Sequence, residues 1–236
     1  VYIINTCTVT NIADRKSRQM LHRARKMNPD AVVVAAGCYV QAQNARENTD
    51  PCIDIVLGNN HKKDLIKVLQ EYEETKAARK EGTAGAEKAD ILDIEEIGKT
   101  KEYEKLHLTK PGEHTRAYIK VQDGCNQFCT YCIIPYVRGR VRSRTVEDVL
   151  DEVRTLAGNG YQEVVLTGIH LSSYGIDFDG TRHLLSLIQA VHQIEGIRRI
   201  RLGSLEPGII TEEFARALSE LPKMCPHFHL SLQSGC

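Results

Sequence analysis

Short apolar runs alternate with amphipathic stretches through the first part of the chain. Three of these runs have the length and composition of buried strands: 1–5, 31–36 and 54–58. Residues 12–27 have helical spacing, a short helix is predicted after residue 38, and another helix begins near residue 62. The predicted inward face of the first helix consists of Ala13, Ser17, Met20, Ala24 and Met27. Alternating strands and helices indicate an α/β layer with a parallel sheet.

The same alternation resumes after residue 115. The predicted strands are 117–121, 163–167, 198–203 and 227–232. The predicted helices between them are 145–157, 183–194 and 211–221. Parallel strands joined by helices need right-handed crossovers, so this region is predicted to form a second parallel sheet. Four strands are too few to close a barrel, and we expect a partial one.

A stretch rich in Glu, Lys, Gly and Ala separates the two regions, with one weak apolar patch near Ile91 and Ile94. We therefore predict three parts: a first α/β domain over 1–72, a polar linker over 73–112, and a second α/β domain over 113–236. Val1 already lies inside a predicted strand and is not Met. We expect the chain to be truncated at both ends.

The composition is that of a folded globular chain, with 42% hydrophobic and 26% charged residues. No apolar run approaches the length of a membrane span, and the N-terminus lacks the pattern of a signal peptide, so we expect a cytoplasmic protein with no membrane partner. Eight cysteines are many for a reducing compartment, which favours metal binding or catalysis. The net charge is zero. Residues 71–104 hold eleven acids and six bases, so the remainder is positive and a nucleic-acid partner is not excluded.

The strongest chemical signal is a loop with three closely spaced cysteines, Cys125, Cys129 and Cys132. The loop directly follows a predicted strand, and Gly124 permits a sharp turn there, so the thiolates gather at the carboxyl end of the strand. Thiolates suit either an iron–sulfur cluster or zinc, but no partner pair for a closed zinc site is spaced correctly. Three thiolates on a four-iron cluster leave one iron open to a small molecule. Three buried structural cysteines are a less favoured reading at this spacing.

Two further cysteines, Cys7 and Cys38, each end a predicted buried strand. Taken alone, each is more typical of core packing than of a ligand. Neighbouring parallel strands that both end in cysteine would nevertheless bring two thiolates to one sheet edge. Cys52 and Cys225 are interpreted as packing residues, and Cys236 receives no role.

Two groups of basic residues lie beside these cysteines. The first group alternates along the chain, so an extended backbone would put its members on one side: Arg138, Arg140, Arg142 and Arg144. These arginines are predicted to contact RNA phosphates or a carboxylate. The second group shares a face of the first helix: Arg15, Arg18, His22 and Arg25. For that face, RNA contact and simple solvation are equally favoured.

The cysteine loop resembles the signature of radical S-adenosylmethionine (SAM) enzymes. Its surroundings, Ile119–Cys125 and the segment Ile134-Pro-Tyr-Val-Arg-Gly-Arg-Val-Arg-Ser-Arg144, resemble the tRNA methylthiotransferases. Further similar segments are Asn5-Thr-Cys-Thr-Val-Thr-Asn11, Gly37-Cys38, Leu166-Thr-Gly-Ile-His170 and Leu232-Gln-Ser-Gly235. Thr-Val-Thr after Cys7 and Gly-Ile-His after Thr167 are most similar to the subgroup that acts on N6-threonylcarbamoyladenosine.

This resemblance implies two [4Fe–4S] clusters and SAM as cofactors. Cys125, Cys129 and Cys132 would hold the cluster that binds SAM and cleaves it to a 5′-deoxyadenosyl radical. Cys7 and Cys38 match two of three ligands of a second cluster that supplies or activates sulfur, the third being expected upstream of Val1. The implied fold is an incomplete N-terminal cluster domain followed by an incomplete radical SAM (β/α) barrel.

The resemblance also implies a SAM pocket at the strand ends of the second domain. The candidate lining residues are Thr167, Gly168, Ser204, Glu206, Gln233 and Ser234. Ordinary turn chemistry explains any one of them equally well. His170 is the least specific of the neighbouring candidates.

The implied reaction is the addition of a methylthio group to C2 of N6-threonylcarbamoyladenosine at position 37 of tRNA. The implied partners are the tRNA anticodon loop, whose unpaired bases can enter a pocket, an electron donor and a sulfur source. Two alternatives within the class act on isopentenyladenosine in tRNA or on a ribosomal-protein aspartate. An alternative outside it is a non-catalytic iron–sulfur or zinc protein that binds RNA or transfers electrons.

Overall fold

The computed structural model describes residues 1–42, 50–80, 91–106, 115–178 and 183–235. The chain divides into two compact units. The first unit consists of residues 1–100 and 128–139, and the second of residues 101–127 and 140–236. None of the helices in the described residues is long and apolar enough to cross a membrane.

The first unit is built on a fully parallel sheet with strand order β1-β2-β3-β4. Its strands are β1 (Tyr2–Thr6), β2 (Val33–Gly37), β3 (Ile55–Leu57) and β4 (Ile91–Asp93). Its helices are α1 (Asn11–Met27), α2 (Cys38–Ala42), α3 (Leu65–Lys80) and α4 (Ile134–Arg138). All five residues of β2 are buried because alternate side chains belong to two different core clusters, one with α1 and one with α3.

The buried face of α1 differs from the predicted one. Ser17, Leu21 and Ala24 are buried, whereas Met20 and Met27 are 51% and 64% exposed. The buried stripe is therefore centred on Leu21, since residues at i, i+4 and i+7 share one helix face. Thr10 caps the helix, its hydroxyl accepting a hydrogen bond from the Ala13 amide.

The segment predicted as a linker contributes structure to both units. The strand β4 extends the first sheet by pairing with β3, and Ile97 is buried in the same unit. Tyr103 belongs to the second unit, where its hydroxyl donates to the Lys120 carbonyl. The apolar patch there is short, yet it is sufficient for one edge strand, because an edge strand needs a neighbour on one side only.

The second unit has a mixed sheet with strand order β6-β5-β7-β8. Its strands are β5 (Ala117–Asp123), β6 (Arg142–Ser143), β7 (Glu163–Gly168) and β8 (Arg199–Leu202). Its helices are α5 (Val146–Gly158), α6 (Leu184–His192) and α7 (Glu212–Ser219). Strands β5, β7 and β8 are parallel, as predicted, while β6 pairs antiparallel with β5. The α/β fold class is confirmed.

The strand predicted over 227–232 is not formed. This segment makes one isolated parallel bridge, between Leu205 and Leu230. Its alternating pattern favours a strand, but its side chains are mostly exposed, so no apolar face holds a longer ladder.

Glu163, at the start of β7, forms ion pairs with two arginines of β8. Its carboxylate accepts hydrogen bonds from Arg199 Nε at 2.6 Å and Arg201 Nε at 2.7 Å. Burial by itself would raise the pKa of Glu163, but the hydrogen bonds from Arg201 and Arg199 outweigh burial and hold the pKa below its ordinary 4.5. A carboxylate with a lowered folded-state pKa stabilises the fold above its unfolded pKa.

We therefore expect the free energy of unfolding to fall as the pH drops below 4.5 and through the lowered pKa of Glu163. Glu163→Gln should remove that part of the acid dependence and cost about 1 kcal/mol at neutral pH. Urea denaturation at a series of pH values measures both effects. Glu212→Gln, at an exposed carboxylate paired with Arg216, is the matched control. An unchanged acid dependence in Glu163→Gln would contradict this account.

Candidate metal centre

Cys7 and Cys38 directly follow two adjacent strands at the carboxyl edge of the first sheet. The register pairs Thr6 with Gly37, so each cysteine is the next residue after a paired strand end. Gly37 has a φ of +103°, and a Cβ at this position would lie 2.6 Å from the Thr6 carbonyl oxygen. Only glycine allows the two strand ends to approach this closely. The predicted juxtaposition of Cys7 and Cys38 follows from this register.

The backbone of Cys7 is tied to α1. The Cys7 amide donates to Ser17 Oγ at 3.0 Å, and the same hydroxyl lies 3.1 Å from the Cys7 carbonyl oxygen. Ser17 is buried, whereas Cys7 is exposed. The side chain of Cys7 is thus accessible on a backbone that is held in place.

Cys38 is almost fully buried, with 1% exposure. Its sulfur lies 3.1 Å from Arg138 Nε and 3.6 Å from Asn59 Nδ2, both potential donors. Asn59 was missed by sequence reasoning. It lies two residues after the end of β3, and a polar residue near the carboxyl end of a neighbouring parallel strand was the signal that could have identified it.

The three-cysteine loop begins on a rigid turn in the second unit. Gly124 follows β5 with a φ of +72°, and its amide donates to Asp123 Oδ1 at 2.9 Å. Gln122, which is fully buried, donates from Nε2 to the carbonyl oxygens of Asp123 and Gly124 at 2.8 Å each. Cys125 is buried directly after this turn.

Cys129 and Cys132 belong to the first unit, together with Cys7 and Cys38. The Cys132 amide donates to the Cys129 carbonyl oxygen at 2.9 Å, which closes a turn between them. Cys129 is exposed and Cys132 is partly exposed. The seven cysteines that the structure describes are thiols rather than disulfides, which leaves their sulfurs available as ligands.

The residues predicted to line a SAM pocket lie at the end of β7 and beyond the end of β8. Gly168 packs against Gln122, since a Cβ on Gly168 would lie 2.8 Å from Gln122 Oε1. Thr167 Oγ1 donates to the Ile119 carbonyl at 3.3 Å. Ser204 Oγ lies 2.8 Å from His229 Nδ1. The exposed residues Gln233 and Ser234 lie in an irregular segment.

His170 lies between two polar side chains of the second unit. Its Nδ1 is 2.6 Å from Ser173 Oγ, and its Nε2 is 3.2 Å from Glu206 Oε2. The Glu206 amide donates to Ser172 Oγ at 2.9 Å. The loops after β7 and β8 are thus joined by hydrogen bonds, while SAM contact by these residues stays a prediction.

The four alternating arginines do not share one face, which corrects the predicted extended arrangement. Arg138 ends helix α4, and Arg140 is exposed. Arg142 and Arg144 are 2% and 3% exposed and face carboxylates in the interior. Phosphate contact therefore stays a prediction for Arg138 and Arg140 only.

The basic face of helix α1 is also partly structural. Its Arg25 donates hydrogen bonds to the carbonyl oxygens of Pro29, Ala31 and Cys52 and to the Asp54 carboxylate.

Cys52 is part of a polar cluster rather than simple packing. His22 Nδ1 lies 3.2 Å from Cys52 Sγ, and His22 Nε2 lies 2.9 Å from Asp50 Oδ2. Within the described residues, this is the group of three side chains close enough to share an ion. It precedes β3 and so lies at the opposite edge of the sheet from Cys38. Cys225 is buried, and Cys236 lies outside the described residues.

Comparison with known families agrees with this arrangement. Residues 119–236, half of the chain, match the model of the radical SAM superfamily. The chain belongs to the radical SAM superfamily. Residues 1–58 match a second model, described as uncharacterized protein family UPF0004.

Curated relatives extend the similarity over the whole chain. Proteins named threonylcarbamoyladenosine tRNA methylthiotransferase MtaB are 43% identical in Aquifex aeolicus and 40% identical in Bacillus subtilis, each over 100% of this chain. A tRNA-2-methylthio-N(6)-dimethylallyladenosine synthase from Desulforamulus reducens is 33% identical over 100% of this chain. The matches cover 54%, 49% and 50% of those relatives, so the chain spans about half their length. The predicted resemblance to the tRNA methylthiotransferases is confirmed.

A solved structure is similar in fold. The radical SAM methyltransferase TsrM from Kitasatospora setae, with cobalamin and a [4Fe–4S] cluster bound, superposes with a TM-score of 0.60 at 16% identity. The match covers 98% of this chain and 48% of TsrM. At this identity the likeness concerns the fold alone.

Proposed function

We propose that this protein is a tRNA methylthiotransferase that replaces the hydrogen on C2 of N6-threonylcarbamoyladenosine, at position 37, by a methylthio group. The observation that carries the proposal is the collection of cysteines at defined strand ends and turns. Cys7 and Cys38 end adjacent strands of the first unit, and the same unit contains Cys129 and Cys132. A protein with two iron–sulfur clusters needs two such sets of thiols.

The donor set fits the clusters that the family implies. Cys125, Cys129 and Cys132 would hold one [4Fe–4S] cluster, while Cys7 and Cys38 would supply two thiolates to the other. When bound, the first cluster and SAM supply the one-electron cleavage that begins the reaction. The buried side chain of Gln122 fixes the turn that presents Cys125. The same side chain accepts a hydrogen bond from the His170 amide at 2.7 Å, and so links this turn to the predicted SAM pocket.

The protein's remaining roles are binding and orientation. Thr167, Gly168, Ser204 and Glu206 would line the SAM pocket, with Gln233 and Ser234 completing it. Arg140, which is exposed next to the loop in sequence, would contact RNA phosphates. An electron donor and a sulfur source complete the proposed partners, and a tRNA substrate implies action in the cytoplasm.

Threonylcarbamoyladenosine is favoured over dimethylallyladenosine as the substrate. The relatives named for threonylcarbamoyladenosine in Aquifex and Bacillus are 43% and 40% identical, whereas the dimethylallyladenosine synthase of Desulforamulus is 33% identical. The motifs Thr8-Val-Thr10 and Gly168-Ile-His170 point the same way. Both reactions need electrons and sulfur in the same way, so the two substrates are distinguished by identifying which nucleoside of the tRNA is modified.

Nucleoside analysis of tRNA from a strain that lacks the gene tests the proposal. We expect 2-methylthio-N6-threonylcarbamoyladenosine to disappear and its unmethylthiolated precursor to accumulate, and the gene to restore the product. A gene copy with Cys125→Ser should fail to restore it, whereas Cys225→Ser, at a buried cysteine assigned to packing, should succeed. Loss of the dimethylallyl nucleoside instead would reassign the substrate. An unchanged nucleoside profile would favour the non-catalytic alternative.

A further inference from the structure

The buried sulfur of Cys38 is approached by two side chains that donate hydrogen bonds to it. Cys38 is 1% exposed, and Arg138 Nε approaches its Sγ to 3.1 Å. Asn59, which is 2% exposed, places Nδ2 at 3.6 Å from the same sulfur. A neutral thiol is only a weak acceptor, whereas a thiolate or a metal-bound sulfur accepts strongly from a charged donor. The donors therefore match a sulfur that carries negative charge.

The orientation of the Asn59 amide follows from its neighbours. Asn59 Nδ2 also donates to the Val137 carbonyl oxygen at 2.6 Å, and a carbonyl can only accept. Rotating the amide would place Oδ1 against that carbonyl. The Asn59 backbone amide in turn donates to Gln41 Oε1 at 2.9 Å, which ties it to helix α2. The side-chain amide that faces Cys38 is therefore held by the Val137 carbonyl oxygen, while the backbone of Asn59 is held by Gln41.

Both contacts depend on helix α4, which begins just after Cys132. Arg138 is part of this helix, and the side chain of Asn59 is held by the carbonyl oxygen of Val137 in the same helix. Arg138 is the last residue of this helix, and Pro135 and Val137 are its buried residues. One short helix thus connects the end of the radical SAM loop to the sulfur of Cys38 within the first unit. The position of Arg138 therefore depends on the position of that loop.

We propose that Arg138 and Asn59 are positioning residues for the second cluster: they hydrogen-bond the Cys38 sulfur, hold it as a ligand and raise the cluster's reduction potential. The inference rests on the proposed function, because it assumes a cluster on Cys7 and Cys38. Hydrogen bonds to ligand sulfurs set the potential of iron–sulfur clusters. A nearby guanidinium acts in the same direction, since reduction adds negative charge to the cluster.

The test isolates the second cluster by replacing Cys125, Cys129 and Cys132 with alanine in the anaerobically reconstituted full-length protein, which serves as the parent for the variants. A redox titration followed by electron paramagnetic resonance then measures its midpoint potential. Arg138→Gln should shift that potential to more negative values and lower the iron retained after gel filtration. Asn59→Leu should shift it in the same direction by less, and Arg138→Lys should recover part of the shift by restoring the charge. Lys67→Gln, which removes an exposed charge of the first unit, should change neither quantity.

Binding of tRNA separates this role from the predicted RNA contact of Arg138. If Arg138 binds a phosphate, Arg138→Gln will lower the slope of log affinity against log salt by about one and leave the midpoint potential unchanged. That result, in variants whose circular dichroism shows an intact fold, would overturn the inference. Failure of the parent to retain iron at Cys7 and Cys38 would also overturn it. The expected potential shift, combined with no methylthio product from the full-length protein in which Cys125, Cys129 and Cys132 are intact, would instead count against the proposed function alone.

Discussion

Replacing any one of Cys125, Cys129 and Cys132 by alanine is expected to abolish the formation of 5′-deoxyadenosine from SAM under reducing conditions. Two thiolates cannot hold a four-iron cluster that also leaves one iron open to SAM. Because the cluster supplies the chemistry, the loss should reach the detection limit rather than a partial decrease. Chromatographic detection of 5′-deoxyadenosine, together with iron and sulfide analysis, measures both effects.

Two other cysteines of the chain provide matched controls for this experiment. Cys225 is buried, and Cys52 lies in the polar cluster with His22, at the opposite sheet edge from Cys38. Cys52→Ala and Cys225→Ala should retain cleavage of SAM. If the triple alanine variant still cleaved SAM, the assignment of the cluster to this loop would be wrong.

Arg144→Met is expected to lower the free energy of unfolding by about 3–5 kcal/mol, because it removes the cation that pairs with the buried Glu152 carboxylate and the partly buried Asp148 carboxylate. Arg144 donates from Nε to Asp148 at 2.7 Å and from Nη1 to Glu152 at 2.5 Å, and the Glu152 side chain is 2% exposed. Burial alone would lower the pKa of Arg144, but the hydrogen bonds to Asp148 and Glu152 raise it above its ordinary value. Arg144 therefore acts as a structural cation.

A second variant separates charge pairing from packing at this site. In the double variant Arg144→Met with Glu152→Leu, no charge remains at position 152, so much of the lost stability should return. Urea denaturation of both variants measures the difference. An Arg144→Met variant that unfolds like the parent and binds tRNA more weakly would restore the RNA-contact role that the buried position argues against.

The hydrophobic pattern was sufficient to predict the α/β class and most elements, because buried strands and amphipathic helices differ in their periodicity. It was also sufficient to predict that Cys7 and Cys38 follow adjacent parallel strands. Pattern failed at 227–232, where alternation alone did not provide a partner strand. It also failed at β4, where three residues suffice because an existing sheet edge provides the hydrogen bonds.

The arginine run marks the limit of inference from spacing. Alternation predicts a common face only if the backbone is extended throughout, but Arg138 lies in helix α4 and Arg142 in strand β6. Whether an arginine faces solvent or a carboxylate depends on residues distant in the chain, as with Asp123 beside Arg142. No local pattern carries that information. Hence residue types and spacing indicated the chemistry of the cysteines. Long-range packing decided which arginines are buried against carboxylates, because burial of a charge requires a partner from another element.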